Sequence, residues 1–224
     1  MIYYVGDTHG RVDAIEKVDA AAIANGVDTV VQVGDFGCHF SSGVSCGVDA
    51  YFQAREAGPT WYTCGGNHDN WSVWMSMAEE QGSPDIVRLT KGCFFVRRGA
   101  MVPLNGKSHL FFGGAESTDK HMRWEGHDWW PEETPSRDEF YTFFDALNDG
   151  RPDVVVTHDA PLRVVIERLH RNENPTPNGL ENALKHSDYQ PPAWVFGHHH
   201  RLERWKIGET DFHCCGLHGQ FVSL

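Results

Sequence analysis

Six consecutive residues, Cys64-Gly65-Gly66-Asn67-His68-Asp69, set three polar side chains directly behind two glycines and the β-prone run Thr60-Trp61-Tyr62-Thr63. An amide oxygen can bind a metal, an imidazole can carry a proton, and a carboxylate can orient that imidazole. The glycines let the backbone turn sharply and approach a ligand closely. Four other apolar runs end in the same way, at Gly6-Asp7-Thr8-His9-Gly10, Gly34-Asp35-Phe36-Gly37, Thr157-His158-Asp159 and Gly197-His198-His199-His200. One Asp or His behind a strand is ordinarily a cap or a turn residue. Five such stretches together supply oxygen and nitrogen donors without a thiolate, a mix that suits Mn, Fe, Zn, Co or Ni better than a structural Cys-rich zinc.

These groups can act together only if the chain brings the strand ends to one place. Residues 2–5, 29–33 and 60–64 read as buried strands. Between and after them, 11–25, 45–57 and 70–80 carry apolar residues at helical spacing, which predicts parallel pairing through crossover helices. Short β-like runs follow at 86–89, 93–97, 101–104 and 109–112. Arg98-Gly99 and Asn105-Gly106 fit tight hairpin turns, so this region reads as antiparallel. Helices are expected at 136–147, where Ser136 and Glu139 form a capping box, at 162–169 and at 179–186. The two prolines and three asparagines of 172–178 read as a loop. Strands are expected at 153–157 and 193–196, with closing antiparallel strands at 201–207, 210–215 and 220–222. In open α/β sheets ligands bind outside the carboxyl ends of strands, so the polar set from Asp7 to His200 should converge.

A length of 224 residues suits one domain, 1–224, large enough for a full core. The net charge of −12 argues against long nucleic acid as a partner, although bound metal can still attract an anionic substrate. No stretch has the length of a membrane span, and Met1 to Val5 lacks the basic region of a signal peptide, so a cytoplasmic location is expected. The six cysteines contain no CxxC pair and read as buried thiols; a Cys38–Cys46 bridge is not indicated. Residues 115–135 form an irregular, aromatic insert that also holds Asp119, Arg123, Glu132 and Glu133, the pattern of an active-site loop.

Asp7-x-His9, Gly34-Asp35, Gly66-Asn67-His68-Asp69, His158 and Gly197-His198-x-His200 resemble, in order, the five blocks of the calcineurin-like metallophosphoesterase family. The resemblance spans nearly the whole chain and implies an α/β, four-layer αββα sandwich with two mixed β-sheets flanked by helices. It also implies two divalent metal ions, manganese foremost, with Fe, Zn, Ni or Co as alternatives. Carried over by motif, Asp7, His9 and His200 hold one metal, Asn67, His158 and His198 hold the other, and Asp35 bridges them. His68 stands beside the leaving group as general acid, with Asp69 orienting it. The implied reaction is hydrolysis of a small phosphate ester, monoester or diester, by a water activated between the metals, without a phosphoenzyme. Arg11, Arg123 and Asp119 are candidate substrate contacts.

Gly6-Asp7-Thr8-His9-Gly10 is similar to the opening block of Ser/Thr protein phosphatases and dinucleoside polyphosphate hydrolases. That branch follows its Gly-Asp with Asp-Arg-Gly, whereas here Phe36-Gly37 follows Asp35, and Asp69 stands where the branch has Glu. The closer likeness is to small bacterial or phage-type phosphoesterases. A non-catalytic metal-binding scaffold of the same fold is the other alternative. His199, between two proposed ligands, is expected to point away from them.

Overall fold

The computed structural model describes residues 1–38, 47–170 and 174–224. His39 and Cys46, and the start of the helix expected from residue 45, lie outside the described residues. The first half of the chain runs β1 (Tyr3–Val5), α1 (Val12–Ala24), β2 (Thr29–Gln32), α2 (Gly47–Ala54), β3 (Thr60–Thr63), α3 (Trp71–Glu80), β4 (Ile86–Thr90) and β5 (Cys93–Val96). The second half runs β6 (Met101–Leu104), β7 (Lys107–Phe112), α4 (Arg137–Gly150), β8 (Val154–Thr157), α5 (Leu162–Glu167), α6 (Pro175–His186), β9 (Ala193–Phe196), β10 (Glu203–Ile207), β11 (Thr210–Cys214) and β12 (Phe221–Ser223). Between β7 and α4 the insert contains two 3₁₀ turns, Lys120–Met122 and Pro131–Glu133.

Two six-stranded sheets form, in the orders β12-β1-β2-β3-β5-β4 and β10-β11-β9-β8-β7-β6. Each has four parallel strands at its centre and one antiparallel strand at either edge. Side-chain alternation builds the layers. Along β1, Tyr3 and Val5 face the α1–α3 helices, while Tyr4 faces the second sheet with Val31 and Val33. Along β8, Val154 and Val156 face the first sheet and Val155 faces the α4–α6 helices. A period of two with both faces apolar is what a strand covered on both sides requires. The result is the expected αββα sandwich, with three apolar layers between its four structural ones.

Several local expectations hold, and three do not. Ser136 Oγ and Glu139 form the capping box of α4. Asn105 and Gly106, both at positive φ, close the β6–β7 hairpin. Arg98-Gly99 makes a turn, with Ala100 N–H donating to Arg97 O at 3.2 Å, but it passes the chain from one sheet to the other instead of closing a hairpin. The segment read as a loop up to Asn178 is helical from Pro175, because Asn174 caps Thr176 N–H and proline at the first helical position gives up no hydrogen bond. Of the closing strands, β11 pairs antiparallel with β10 but parallel with β9. Among the described residues no helix is long and apolar enough to cross a membrane.

Candidate metal centre

The parallel strands of the two sheets deliver their carboxyl ends to one cleft. Asp7 follows β1, Asp35 follows β2, and Asn67 and His68 follow β3; His158 follows β8, and His198 and His200 follow β9. Four residues of the cleft hold a left-handed backbone: His9, two residues past Asp7 (φ 47°), Asp35 (55°), His198 (63°) and His200 (56°). Non-glycine residues enter that region at a cost of about 1–3 kcal/mol each, and such strain persists where the surroundings over-determine it, often at active sites. The surroundings here are specific. His198 N–H donates to both Asp7 carboxylate oxygens at 3.2 and 3.1 Å, and His9 N–H donates to Asp35 O at 2.8 Å.

Two groups of donor atoms result, Asp7/His9/His200 and Asp35/His158/His198, each with its atoms within 4.8 Å of one another. His200 Nε2 lies 3.1 Å from Asp7 Oδ2 and 3.4 Å from His9 Nε2. His158 Nε2 lies 3.1 Å from Asn67 Oδ1, which adds the amide oxygen to the second group. Asp35 stands between the groups. Its Oδ1 is 3.4 Å from His158 Nε2, and its Oδ2 is 3.8 Å from His9 Nε2. Carboxylate, imidazole and amide oxygen at these separations fit two borderline divalent cations.

Charge and burial agree with a cation-binding role. Burial alone would raise the Asp35 carboxyl, but His158, His68 and His9 around it hold it below the usual carboxylate range. Burial would lower His158, yet Asp35 prevails and moves it up to about 10. His158 Nδ1 is tied to Val33 O at 2.8 Å, leaving Nε2 to face the cleft. A cation between His158 and Asp35 would take the place of the shared proton. His198 is lowered to about 4, chiefly by burial, and so stays a neutral donor.

The remaining sequence candidates fall into different places. His68 opens onto the cleft, and its main-chain N–H donates to Asp35 Oδ1 at 2.8 Å. Asp69 does not orient it. The Asp69 carboxylate instead accepts main-chain N–H groups from Phe36 (3.2 Å), Gly37 (2.8 Å) and Gly66 (2.8 Å), fastening the loop after β2 to the loop after β3. Arg123 reaches in from the insert against the His68 ring and pairs with Asp119 at 2.9 Å. Arg11 is engaged with Asp13 through two hydrogen bonds at 3.0 and 2.8 Å on the surface. His199 turns away to Asp159, 3.0 Å from its Oδ1.

Ser117 and Glu133 were not among the sequence candidates. Asn67 Nδ2 donates to Ser117 Oγ at 3.1 Å, and Ser117 Oγ lies 3.0 Å from Glu133 Oε2. The available signal was Gly113-Gly114, a fifth glycine-marked strand end, which lets the chain leaving β7 pass against Cys64 and Gly65.

Two adjoining hollows share Asp35 and His68. One, of about 170 Å³, also touches His9, Gly10 and Gly37. The other, of about 260 Å³, adds Asn67, Asp119, Arg123, His198 and His200. A larger groove of about 590 Å³ between α4 and α6 is lined by Phe140, Tyr141, Phe144 and Pro175 and contains neither donor group.

A model of the calcineurin-like phosphoesterase family matches residues 1–202. No curated protein matches the chain. Among solved structures, one crystal structure overlays with a TM-score of 0.61 at 15% identity, covering 96% of this chain and 90% of that one. The protein TT1561 of Thermus thermophilus overlays with a TM-score of 0.56 at 17% identity, covering 96% and 89%. At these identities the overlays show the shared fold.

Proposed function

Since the chain belongs to the calcineurin-like phosphoesterase family, we propose that it hydrolyses small phosphate esters with two divalent cations, manganese foremost. Asp7, His9 and His200 would hold one cation, Asn67, His158 and His198 the other, and Asp35 both. The observation that carries this reading is Asp35 itself, whose two oxygens face different donor groups, one toward His158 and one toward His9. When bound, the cation pair supplies Lewis acidity toward the phosphoryl oxygens and a water acidified to near-neutral pKa.

The chain's own residues do the rest. Arg123, at the rim of the larger hollow, offers guanidinium N–H groups to a phosphoryl oxygen. His68, facing both hollows, gives its ring proton to the departing oxygen, a role that typically contributes about 100- to 10,000-fold. Asp69 holds the two loops in register so that His68 and Asp35 keep their places. The insert shields one side of the cleft from water. Phe36 supports the small-ester reading over the protein-phosphatase one. It is buried against Trp61, with ring centroids 5.8 Å apart, so the loop after β2 offers no cationic side chain at that position. Buried thiols at Cys64, Cys93, Cys214 and Cys215 fit a reducing compartment such as the cytoplasm.

The deciding experiment is a panel of p-nitrophenyl phosphate, bis-p-nitrophenyl phosphate, cyclic nucleotides, dinucleoside polyphosphates and a phosphopeptide, each assayed with Mn, Ni, Co, Zn and Mg. Turnover of a small ester that needs added metal supports the reading. No turnover of any ester with any metal defeats it. A single turnover in ¹⁸O-water should place one solvent oxygen in the phosphate product; an unlabelled product would contradict direct attack by water.

A further inference from the structure

Behind the cleft a buried chain of hydrogen bonds runs from the insert to one metal ligand. Asn67, Ser117 and Glu133 are at most 3% exposed. Glu133 Oε1 accepts the Ser117 main-chain N–H at 2.6 Å, so that oxygen can only be an acceptor. Glu133 Oε2 accepts the Ser117 hydroxyl at 3.0 Å. A hydroxyl has one hydrogen. With that hydrogen committed to Glu133, Ser117 Oγ can only accept from its other neighbour. That neighbour is the Asn67 side chain, at 3.1 Å, which must therefore present its NH₂ to Ser117. The Asn67 oxygen is left to face His158 Nε2 and the cleft.

Glu133 is itself held firmly. The Arg98 side chain, covered and stacked 4.0 Å over the Trp71 ring, donates to Glu132 O at 2.7 Å and Glu133 O at 3.0 Å. It also donates to Gly113 O at 2.8 Å and pairs with Glu139 of α4 at 2.9 Å. The base of the insert is thus tied to β7, α4 and the start of α3.

We infer that Ser117 and Glu133 are positioning residues that set the polarity of the Asn67 amide, so that the 115–135 insert belongs to the metal centre and governs occupancy of one of its two sites. This rests on the two-cation reading above. A carboxylate is required at 133 because it accepts at both oxygens. A glutamine would have to turn its NH₂ toward either the Ser117 N–H or the Ser117 hydroxyl. The first arrangement sets two donors against each other. The second forces the hydroxyl hydrogen toward Asn67 and favours the flipped amide, with nitrogen facing the cation.

The test is titration of the metal-free protein with Mn²⁺ by calorimetry, with bound metal counted by mass spectrometry and folding checked by circular dichroism. Wild type should take two ions per chain. Glu133→Gln and Ser117→Ala should each keep one site and weaken the other by about 10- to 100-fold, the usual scale for losing an outer partner of a ligand. Adding His200→Ala to either variant should remove the ion that remains. The Glu133→Gln/Ser117→Ala double variant should be no weaker than Ser117→Ala, since residue 133 acts through the hydroxyl. Wild-type affinity at both sites in the two single variants overturns the inference. So does an equal weakening of both sites, which marks general loosening, and if Glu133→Gln fails to fold, Ser117→Ala decides. Fewer than two ions on wild type instead defeats the two-cation reading itself.

Discussion

The Arg123 guanidinium lies against the His68 imidazole, with Nη1 3.2 Å from Nδ1 and Nη2 3.1 Å from Nε2. Burial first, and the neighbouring guanidinium with it, lowers the His68 pKa, while Asp35 opposes the shift. A phosphate anion arriving between the two would be welcome to both. Arg123→Ala should raise KM, because a charge-assisted hydrogen bond contributes about 1.5–3 kcal/mol, or roughly 10- to 100-fold. It should also move the basic limb of kcat/KM to higher pH. That limb falls as the free-enzyme acid loses its proton, and removing a neighbouring cation lets His68 keep that proton longer. Metal content should not change. An unaltered KM and pH profile would remove Arg123 from substrate recognition.

What the sequence made legible here was local. Each site strand is a short apolar run followed at once by Gly, Asp, Asn or His, and that juncture is visible without knowing its partners. Asp69 was misjudged because its three partners, at Phe36, Gly37 and Gly66, are backbone groups, two of them supplied by a distant loop. Ser117 and Glu133 lie in a segment with no periodicity, so nothing local connects them to Asn67. At Arg98-Gly99 the turn residues were correctly read, but turn chemistry does not say whether the flanking strands pair. The start of α6 was hidden because Pro175 reads as a breaker until Asn174 is recognised as its cap.

Gly66 has a different reason for being glycine from the one its sequence context suggests. A Cβ there would overlap the Asp35 main-chain nitrogen and Oδ1 and stand 2.8 Å from His158 Cε1. Gly66→Ala must therefore displace the carboxylate that stands between the two donor groups. Overpacking of this kind costs about 1–3 kcal/mol of stability. Loss of metal should be the larger effect, read as fewer than two Mn²⁺ bound per chain and a fall in activity well beyond any change in the folded fraction. Two bound ions in a folded Gly66→Ala protein would contradict the close approach.

Acid sensitivity should trace partly to a histidine far from the cleft. His109 sits between the sheets, fully buried, its Nε2 2.8 Å from the Tyr4 hydroxyl, and burial lowers its pKa to about 4. The unfolded chain binds a proton there near pH 6.5 while the folded chain does not. Stability from this group is complete above pH 6.5 and drains away as pH falls toward 4. The shift corresponds to roughly 3 kcal/mol across that window. Urea unfolding of wild type at pH 7.5 and pH 4.5 should show a larger difference than unfolding of His109→Phe, even though the variant is less stable at pH 7.5 for lack of a partner to Tyr4. Equal pH dependence in the two proteins would assign the acid lability elsewhere.

The role of His68 is best separated from metal binding by varying the leaving group. Its ring faces both hollows, yet it belongs to neither donor group. His68→Ala should therefore retain both cations. A departing oxygen of low basicity, such as p-nitrophenolate, leaves without a proton, so p-nitrophenyl phosphate should suffer only modestly. An alkoxide cannot leave unprotonated, and an alkyl phosphate should lose about 100- to 10,000-fold in kcat, the scale of general acid catalysis. The measurement is the slope of log kcat against leaving-group pKa, shallow in wild type and steep in the variant. Parallel slopes with two cations still bound would mean that the proton comes from another group, and His68 would then be left with positioning Asp35 through its main-chain N–H alone.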